Sequence, residues 1–127
     1  MQTLKFEYSW DKALSHKDRK TIEAIFLETC NFNNGSIQLI PLWQASNHKG
    51  ELLVTVLIHN FTQCTYNFNE TLIGYSEHNE LLAKHLFTIS SLVIPPVTTM
   101  PWTFIFPIEK SFKNISPLQN GLLTIIR

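Results

Sequence analysis

The segment from Gly50 to Phe61 constrains the fold more than any other part of the chain. Its run from Leu52 to Ile58 is apolar except for Thr55 and rich in β-branched residues, which favour a pleated strand over a helix. Turn residues, Gly50 and Asn60, flank the run, so its length fits one strand. Alternate residues of a strand point to opposite faces, and both faces of this one are mostly apolar. The pattern predicts a central strand that is covered on both sides.

Composition limits the classes of function that the chain can serve. The chain has 127 residues, which is enough for one domain with its own core. Ten basic residues balance ten acidic residues, so no cationic surplus indicates a nucleic-acid partner. Charged residues make up only 16% of the chain, which favours a protein partner or a homo-oligomer. The longest apolar runs are of strand length, well short of the ~20 residues of a membrane-spanning helix.

The N-terminal residues bear on the compartment in which the chain works. They contain no basic segment followed by an apolar block, so we expect no signal peptide and a cytoplasmic location. In that compartment the two cysteines, Cys30 and Cys64, are expected to be reduced thiols. The alternative is an extracellular immunoglobulin-like module whose leader is missing, and a Cys30–Cys64 disulfide would support it.

One helix is predicted near the N-terminus. Residues 4–8 alternate between apolar and polar and predict a short strand or an extended arm. Ser15 is a suitable N-cap, with Asp18 three residues later. An apolar stripe that includes Ile22, Ile25 and Phe26 then predicts an amphipathic helix over about 16–30.

The remainder of the chain, about 36–127, is predicted to be a β-sandwich, and the whole chain has roughly seven to nine predicted short strands. In the strand at 36–46, Ile37, Leu39, Pro41 and Trp43 are expected on one face, and Pro41 requires a sheet edge or a bulge. Further strands are predicted near 65–68, 71–76, 81–89, 92–94, 101–107 and 122–126, with a helical turn near 109–114. Short strands with local turns predict a mainly β fold, an immunoglobulin-like antiparallel β-sandwich with one N-terminal α-helix packed on it. We expect a single domain over residues 1–127.

The polar residues form no recognisable catalytic or metal-binding motif. No pair of the five histidines has the spacing of a helical zinc motif, and no phosphate-binding glycine loop is present. Glu77 and Glu80 flank a predicted turn, where surface carboxylates are the simpler interpretation. We therefore predict no catalytic residues, no cofactor and no metal.

Two aromatic residues are candidates for a protein-binding surface. Trp43 lies beside Pro41 on a predicted edge strand, and Phe61 follows a strand in a predicted turn. Exposed aromatic side chains often anchor protein interfaces. Trp102, between two prolines, is instead predicted to be part of the core.

Three separated stretches resemble the SLAP domain, the S-layer-assembly-protein domain of Firmicute bacteria that is linked to the accessory Sec system. The first is 10–15 with the charged start of the helix, and the second is 45–60. The third joins 83–87 to the heptad Pro101-Trp102-Thr103-Phe104-Ile105-Phe106-Pro107, which is the most specific.

The resemblance implies a non-enzymatic, cytoplasmic protein-interaction module. Its expected partners are the accessory Sec translocase ATPase or exported surface proteins. A different class remains open, in which a small molecule is bound or transformed in a pocket with converging polar groups such as His59 and His85.

Overall fold

A computed structural model describes residues 2–32, 34–107 and 121–126 of the chain. Its elements in chain order are β1 (Thr3–Leu4), α1 (Tyr8–Ala13), α2 (His16–Thr29), β2 (Ile37–Ser46), β3 (Leu52–Asn60), β4 (Tyr66–Glu77), β5 (Glu80–Ile94), β6 (Thr98–Phe106) and β7 (Leu122–Ile125).

Strand β3 is the centre of the fold, as its sequence predicts. It pairs with β2 on one side and with β6 on the other, both antiparallel. Every residue of β3 except Leu53 is buried. Because both of its faces are covered, β3 carries the near-continuous apolar run seen in the sequence.

The described strands form two sheets. Sheet A has the order β1-β6-β3-β2 and sheet B has the order β5-β4-β7. All pairs are antiparallel except β1 with β6, which is parallel. The main core lies between the sheets and is built mainly from aromatic and β-branched side chains, among them Val54, Val56, Phe68, Ile73, Phe87, Phe104 and Phe106. The predicted mainly β sandwich is confirmed.

Both helices pack on the outer face of sheet A, where a second apolar cluster centres on Ile22, Leu42 and Leu57. Helix α2 begins after Ser15, whose hydroxyl accepts the Asp18 amide at 3.0 Å, as the capping pattern predicts. The short helix α1 was not predicted. Tyr8 begins it because the Glu7 carboxylate accepts the amides of Ser9 and Trp10 and caps the first turn. The strand or extended arm predicted over residues 4–8 is thus limited to the two-residue strand β1 and the link to α1.

Strand β2 contains the bulge that Pro41 requires, and it is also an edge strand. Pro41 pairs with Val56 and Trp43 with Thr55, so one extra residue, Leu42, is inserted. A bulge moves the following side chains to the opposite face. Trp43 therefore packs on the helix side of sheet A, away from Ile37 and Leu39, and its predicted face was wrong.

Several strand boundaries differ from the prediction. The segments predicted separately at 65–68 and 71–76 form the single irregular strand β4, and those at 81–89 and 92–94 form β5. Strand β6 begins at Thr98, before Pro101. The turn predicted at 109–114 lies outside the described residues.

Candidate protein-binding surface

Trp43, one of the two predicted anchors, lines a groove between the helices and sheet A. The groove has a volume of about 510 Å³. Apolar side chains dominate its walls, and polar groups lie at the beginning of α2. Its lining residues are Ser9, Trp10, Ala13, Leu14, Ser15, Asp18 and Trp43. A largely apolar groove with a few polar groups suits a partner's apolar side chain.

Local contacts hold the walls of this groove in place. The Arg19 guanidinium donates to the Asp11 carboxylate at 3.0 Å and to the Asp11 carbonyl at 3.1 Å, so it ties α2 to α1. Trp10 stacks on Trp102 of β6, with ring centroids 6.3 Å apart. Trp10 was not predicted as a site residue. Trp10 and Trp43 are far apart in the chain, so no local sequence pattern indicates that they line the same groove. The fold of α1 and the bulge in β2 bring them together.

The structure contradicts the prediction that Phe61 is presented to a partner. Its side chain is only 5% exposed. The ring stacks on His59 with centroids 4.9 Å apart. Asn60 holds the following turn inward, because its side-chain oxygen accepts the Thr62 amide while its nitrogen donates to the carbonyls of Cys64 and Ile94. Phe61 is a core residue.

His59 lies between α2 and sheet A, and each of its ring nitrogens is hydrogen-bonded to a threonine hydroxyl. Its Nε2 is 2.7 Å from the Thr29 hydroxyl, and its Nδ1 is 2.7 Å from the Thr99 hydroxyl. Since Thr29 donates its own proton to the Ile25 carbonyl, Nε2 must carry the imidazole proton. Thr99 then donates to Nδ1 and accepts from the Gln2 amide. This arrangement fits only the neutral ring, and burial lowers the pKa of His59 from 6.5 to about 4.

The structure does not bring His59 and His85 together. His59 faces the helices on one side of sheet A, whereas His85 is on β5 of sheet B and packs edge-on against Phe87. The converging pocket considered for a small molecule is therefore not formed by this pair. Among the described residues, no group of three or more His, Cys, Asp or Glu side chains is placed to hold a metal ion.

A second buried polar cluster joins the two sheets. Tyr75 donates its hydroxyl proton to the Glu77 carboxylate and accepts from the Gln44 amide, 2.9 Å away. Burial, reinforced by the Glu77 bond, raises the pKa of Tyr75 to about 12. The bulge in β2 turns Gln44 inward to make this contact, so the cluster ties β2 to sheet B. In the described part of the chain no buried side-chain polar atom lacks a hydrogen-bond partner, which indicates a structural role for this cluster.

The thiols of Cys30 and Cys64 are both free, and Cys64 is exposed. No helix in the described part of the chain is long and apolar enough to cross a bilayer.

Comparison with known proteins gives one finding. Searches among curated proteins and among solved structures returned no significant match. A family model described as the SLAP domain matches residues 4–124, which is nearly the whole of the 127-residue chain. The matched range includes the two described helices, nearly all of the two described sheets and the proline-bounded heptad at 101–107. The chain therefore belongs to the SLAP domain family.

Proposed function

We propose that this chain is a non-enzymatic protein-interaction domain that assists the export of S-layer or other surface proteins through the accessory Sec system. The family match over residues 4–124 carries the proposal. The expected partners are the translocase ATPase of that system or a surface protein awaiting export, and the expected place of action is the cytoplasm.

The groove at Trp43 is the contact surface that we assign to this role. It offers two half-buried tryptophans, Trp10 and Trp43, beside the exposed side chain of Ala13. Tryptophan is enriched among the residues that dominate binding energy at interfaces. The Arg19–Asp11 contacts hold the walls in place, so little ordering of the groove would be required on binding.

Affinity capture from a lysate of the native host tests the proposal. The intact chain is expected to recover a component of the accessory Sec translocase or an exported preprotein, identified by mass spectrometry. The A13R variant places a large charged side chain in the groove, and we expect it to recover at least tenfold less of that partner.

The matched control is A24R, which adds the same side chain to an exposed position of α2 that does not line the groove. It is expected to recover as much partner as the unmodified chain. Recovery of neither a translocase component nor an exported protein would contradict the proposed role. Equal recovery by A13R and A24R would show that the partner binds elsewhere.

A further inference from the structure

The two sheets leave a second groove between β5 and β6. Strand β5 is at the edge of sheet B, and the one described strand that flanks β6 on its outer side is the two-residue β1. The groove has a volume of about 410 Å³. It is lined by residues 85–89 of β5 and 102–105 of β6.

The outer rim of this groove presents backbone groups that point away from β3. The amides of Thr3 and Lys5 donate to the carbonyls of Val97 and Thr99, at 3.1 and 2.8 Å. The odd-numbered residues of β6 therefore direct their backbone polar groups outward, because this direction alternates along a strand.

Two further residues of that odd series, Thr103 and Ile105, line the groove. Within the described residues, no strand pairs with them on the outer side. Pro101 occupies the outward position between them and β1, where the proline ring lacks an N–H and leaves no donor unpaired. Among the residues that the structure describes, no strand therefore covers the edge of β6 from Pro101 onward.

Two apolar side chains around this edge are exposed to solvent. Leu86 is 57% exposed and Ile105 is 46% exposed, and no Lys, Arg, Asp or Glu lines the groove. Natural sheets usually protect open edges with charges, because an apolar edge readily pairs with another strand. This groove lacks that protection, and the apolar side chains of Leu86 and Ile105 lie there beside the polar His85, Thr88 and Thr103.

The backbone of β6 favours an extended segment over a folded surface as the partner. Outward-pointing backbone groups that no described strand pairs are satisfied by a strand laid alongside them. The chain's own β1 already pairs with the same edge of β6, in parallel, through only two residues. Lys5, which follows β1, also donates its amide to Thr99, so an added strand would pair beyond that point, along Thr103 and Ile105.

We propose that the β5–β6 groove binds a short, extended, apolar segment of another polypeptide as an added strand on β6. Main-chain hydrogen bonds to Thr103 and Ile105 would supply affinity, and alternate side chains would enter the groove. This inference rests on the proposed protein-binding function and assigns the partner's binding element to an unfolded stretch of its chain.

A blocked seven-residue peptide of alternating valine and threonine is the probe. We expect peptide binding to slow the hydrogen exchange of the Thr103 and Ile105 amides at least tenfold, measured by NMR on the intact chain. The Phe104 amide points toward β3 and is expected to be unaffected. The same peptide with every amide N-methylated keeps its side chains but cannot form the ladder, and it is expected to bind at least tenfold more weakly.

Two lysine variants locate the site. I105K places a charge on the rim and is expected to weaken peptide binding at least tenfold. L122K changes a residue that is similarly exposed, at 56%, but lies on β7, and it is expected to bind normally. Unchanged exchange at Thr103 and Ile105, or equal binding of the N-methylated peptide, would overturn the proposal. Dimerisation of the chain that I105K abolishes, seen by light scattering, would assign the groove to a second copy instead.

The outcomes separate this inference from the export role. If the peptide does not bind but the lysate capture still recovers an export partner that A13R reduces, only the strand-addition site is wrong. If the peptide binds as expected and no export partner is captured, the site stands and the export role is wrong.

Discussion

Acid is expected to destabilise this fold through His59, which has no exposed surface. Burial lowers its pKa from 6.5 to about 4. The unfolded chain therefore takes up the proton first as the pH falls below 6.5, whereas the folded chain keeps the ring neutral until the pH nears 4. Stability consequently falls between these pH values and is unaffected by this group above them. At about 1.4 kcal/mol for each pH unit, the full loss is about 3 kcal/mol.

The hydrogen bonds around the ring explain why the folded state resists the proton. A second proton would have to enter at Nδ1, which already accepts from the Thr99 hydroxyl. The hydroxyl would have to turn away and find another acceptor in a buried site, where an unpaired donor costs about 1–3 kcal/mol. The phenyl rings of Phe61 and Phe26 beside the imidazole provide none.

The H59Q variant isolates this effect, because glutamine keeps a donor and an acceptor but does not titrate. Urea unfolding followed by circular dichroism, at fixed ionic strength from pH 7.5 to 4.5, gives the free energy of unfolding at each pH. H59Q is expected to be less stable than the unmodified chain at pH 7.5. Between pH 7.5 and 5, however, it should lose about 2 kcal/mol less than the unmodified chain.

The control is H48Q, which removes a histidine from the exposed loop between β2 and β3 and should follow the unmodified chain. Parallel pH profiles for H59Q and the unmodified chain would refute the reasoning. They would mean that His59 binds its proton equally well in the folded and unfolded states.

Two further predictions concern packing and backbone strain. Phe104 is fully buried against Phe68 and Phe87, so F104A should lower the unfolding free energy by about 3–5 kcal/mol. The control is I105A, at a half-exposed site of the same strand, which should lower it by less than about 1 kcal/mol in the same urea assay. Val97 has a φ of +53°, a region that costs a β-branched residue about 1–3 kcal/mol. Because asparagine tolerates that region, V97N should raise the thermal midpoint, and a lower midpoint would mean that Val97 is not strained.

The two grooves are neighbours, because Trp10 in the wall of the first stacks on Trp102 in the wall of the second, but they suit different contacts. The groove at Trp43 lies between the helices and sheet A, and its wall side chains would provide its contacts. The β5–β6 groove adds backbone groups at Thr103 and Ile105 that no described strand pairs on the outer side, and main-chain hydrogen bonds to an extended segment depend little on its sequence. Under the proposed export role, one contact would select the partner while the other would hold an unfolded stretch.

Local sequence predicted an element correctly where the structure depends on neighbouring residues or on the residue's own chemistry. The apolar run of β3 predicted burial on both faces because each face carries its own apolar side chains. Ser15 and Asp18 predicted the beginning of α2 because a cap is a contact between near neighbours. Pro41 predicted an edge or a bulge because its ring lacks a donor, and β2 has both.

The candidate site was harder to predict, because exposure depends on distant parts of the chain. Trp43 was identified as an anchor, but its face depends on a bulge whose position is set by pairing with β3. Phe61 follows a strand, as exposed turn residues often do, yet Asn60 draws the turn inward toward Ile94. Trp10 lies near Trp43 because α1 forms. The Glu7 cap begins α1 at the end of the segment whose alternation predicted a strand or an extended arm.

By itself, the sequence determined the central strand, the main helix, the mainly β class and the kinship to the SLAP domain, because each depends on short-range pattern or on a run of matching residues. Only the tertiary structure decided which aromatic side chains line a groove, which histidine is buried and which sheet edge no described strand covers. Those properties depend on strand register and on contacts between residues far apart in the chain, such as His59 with Thr29 and Thr99.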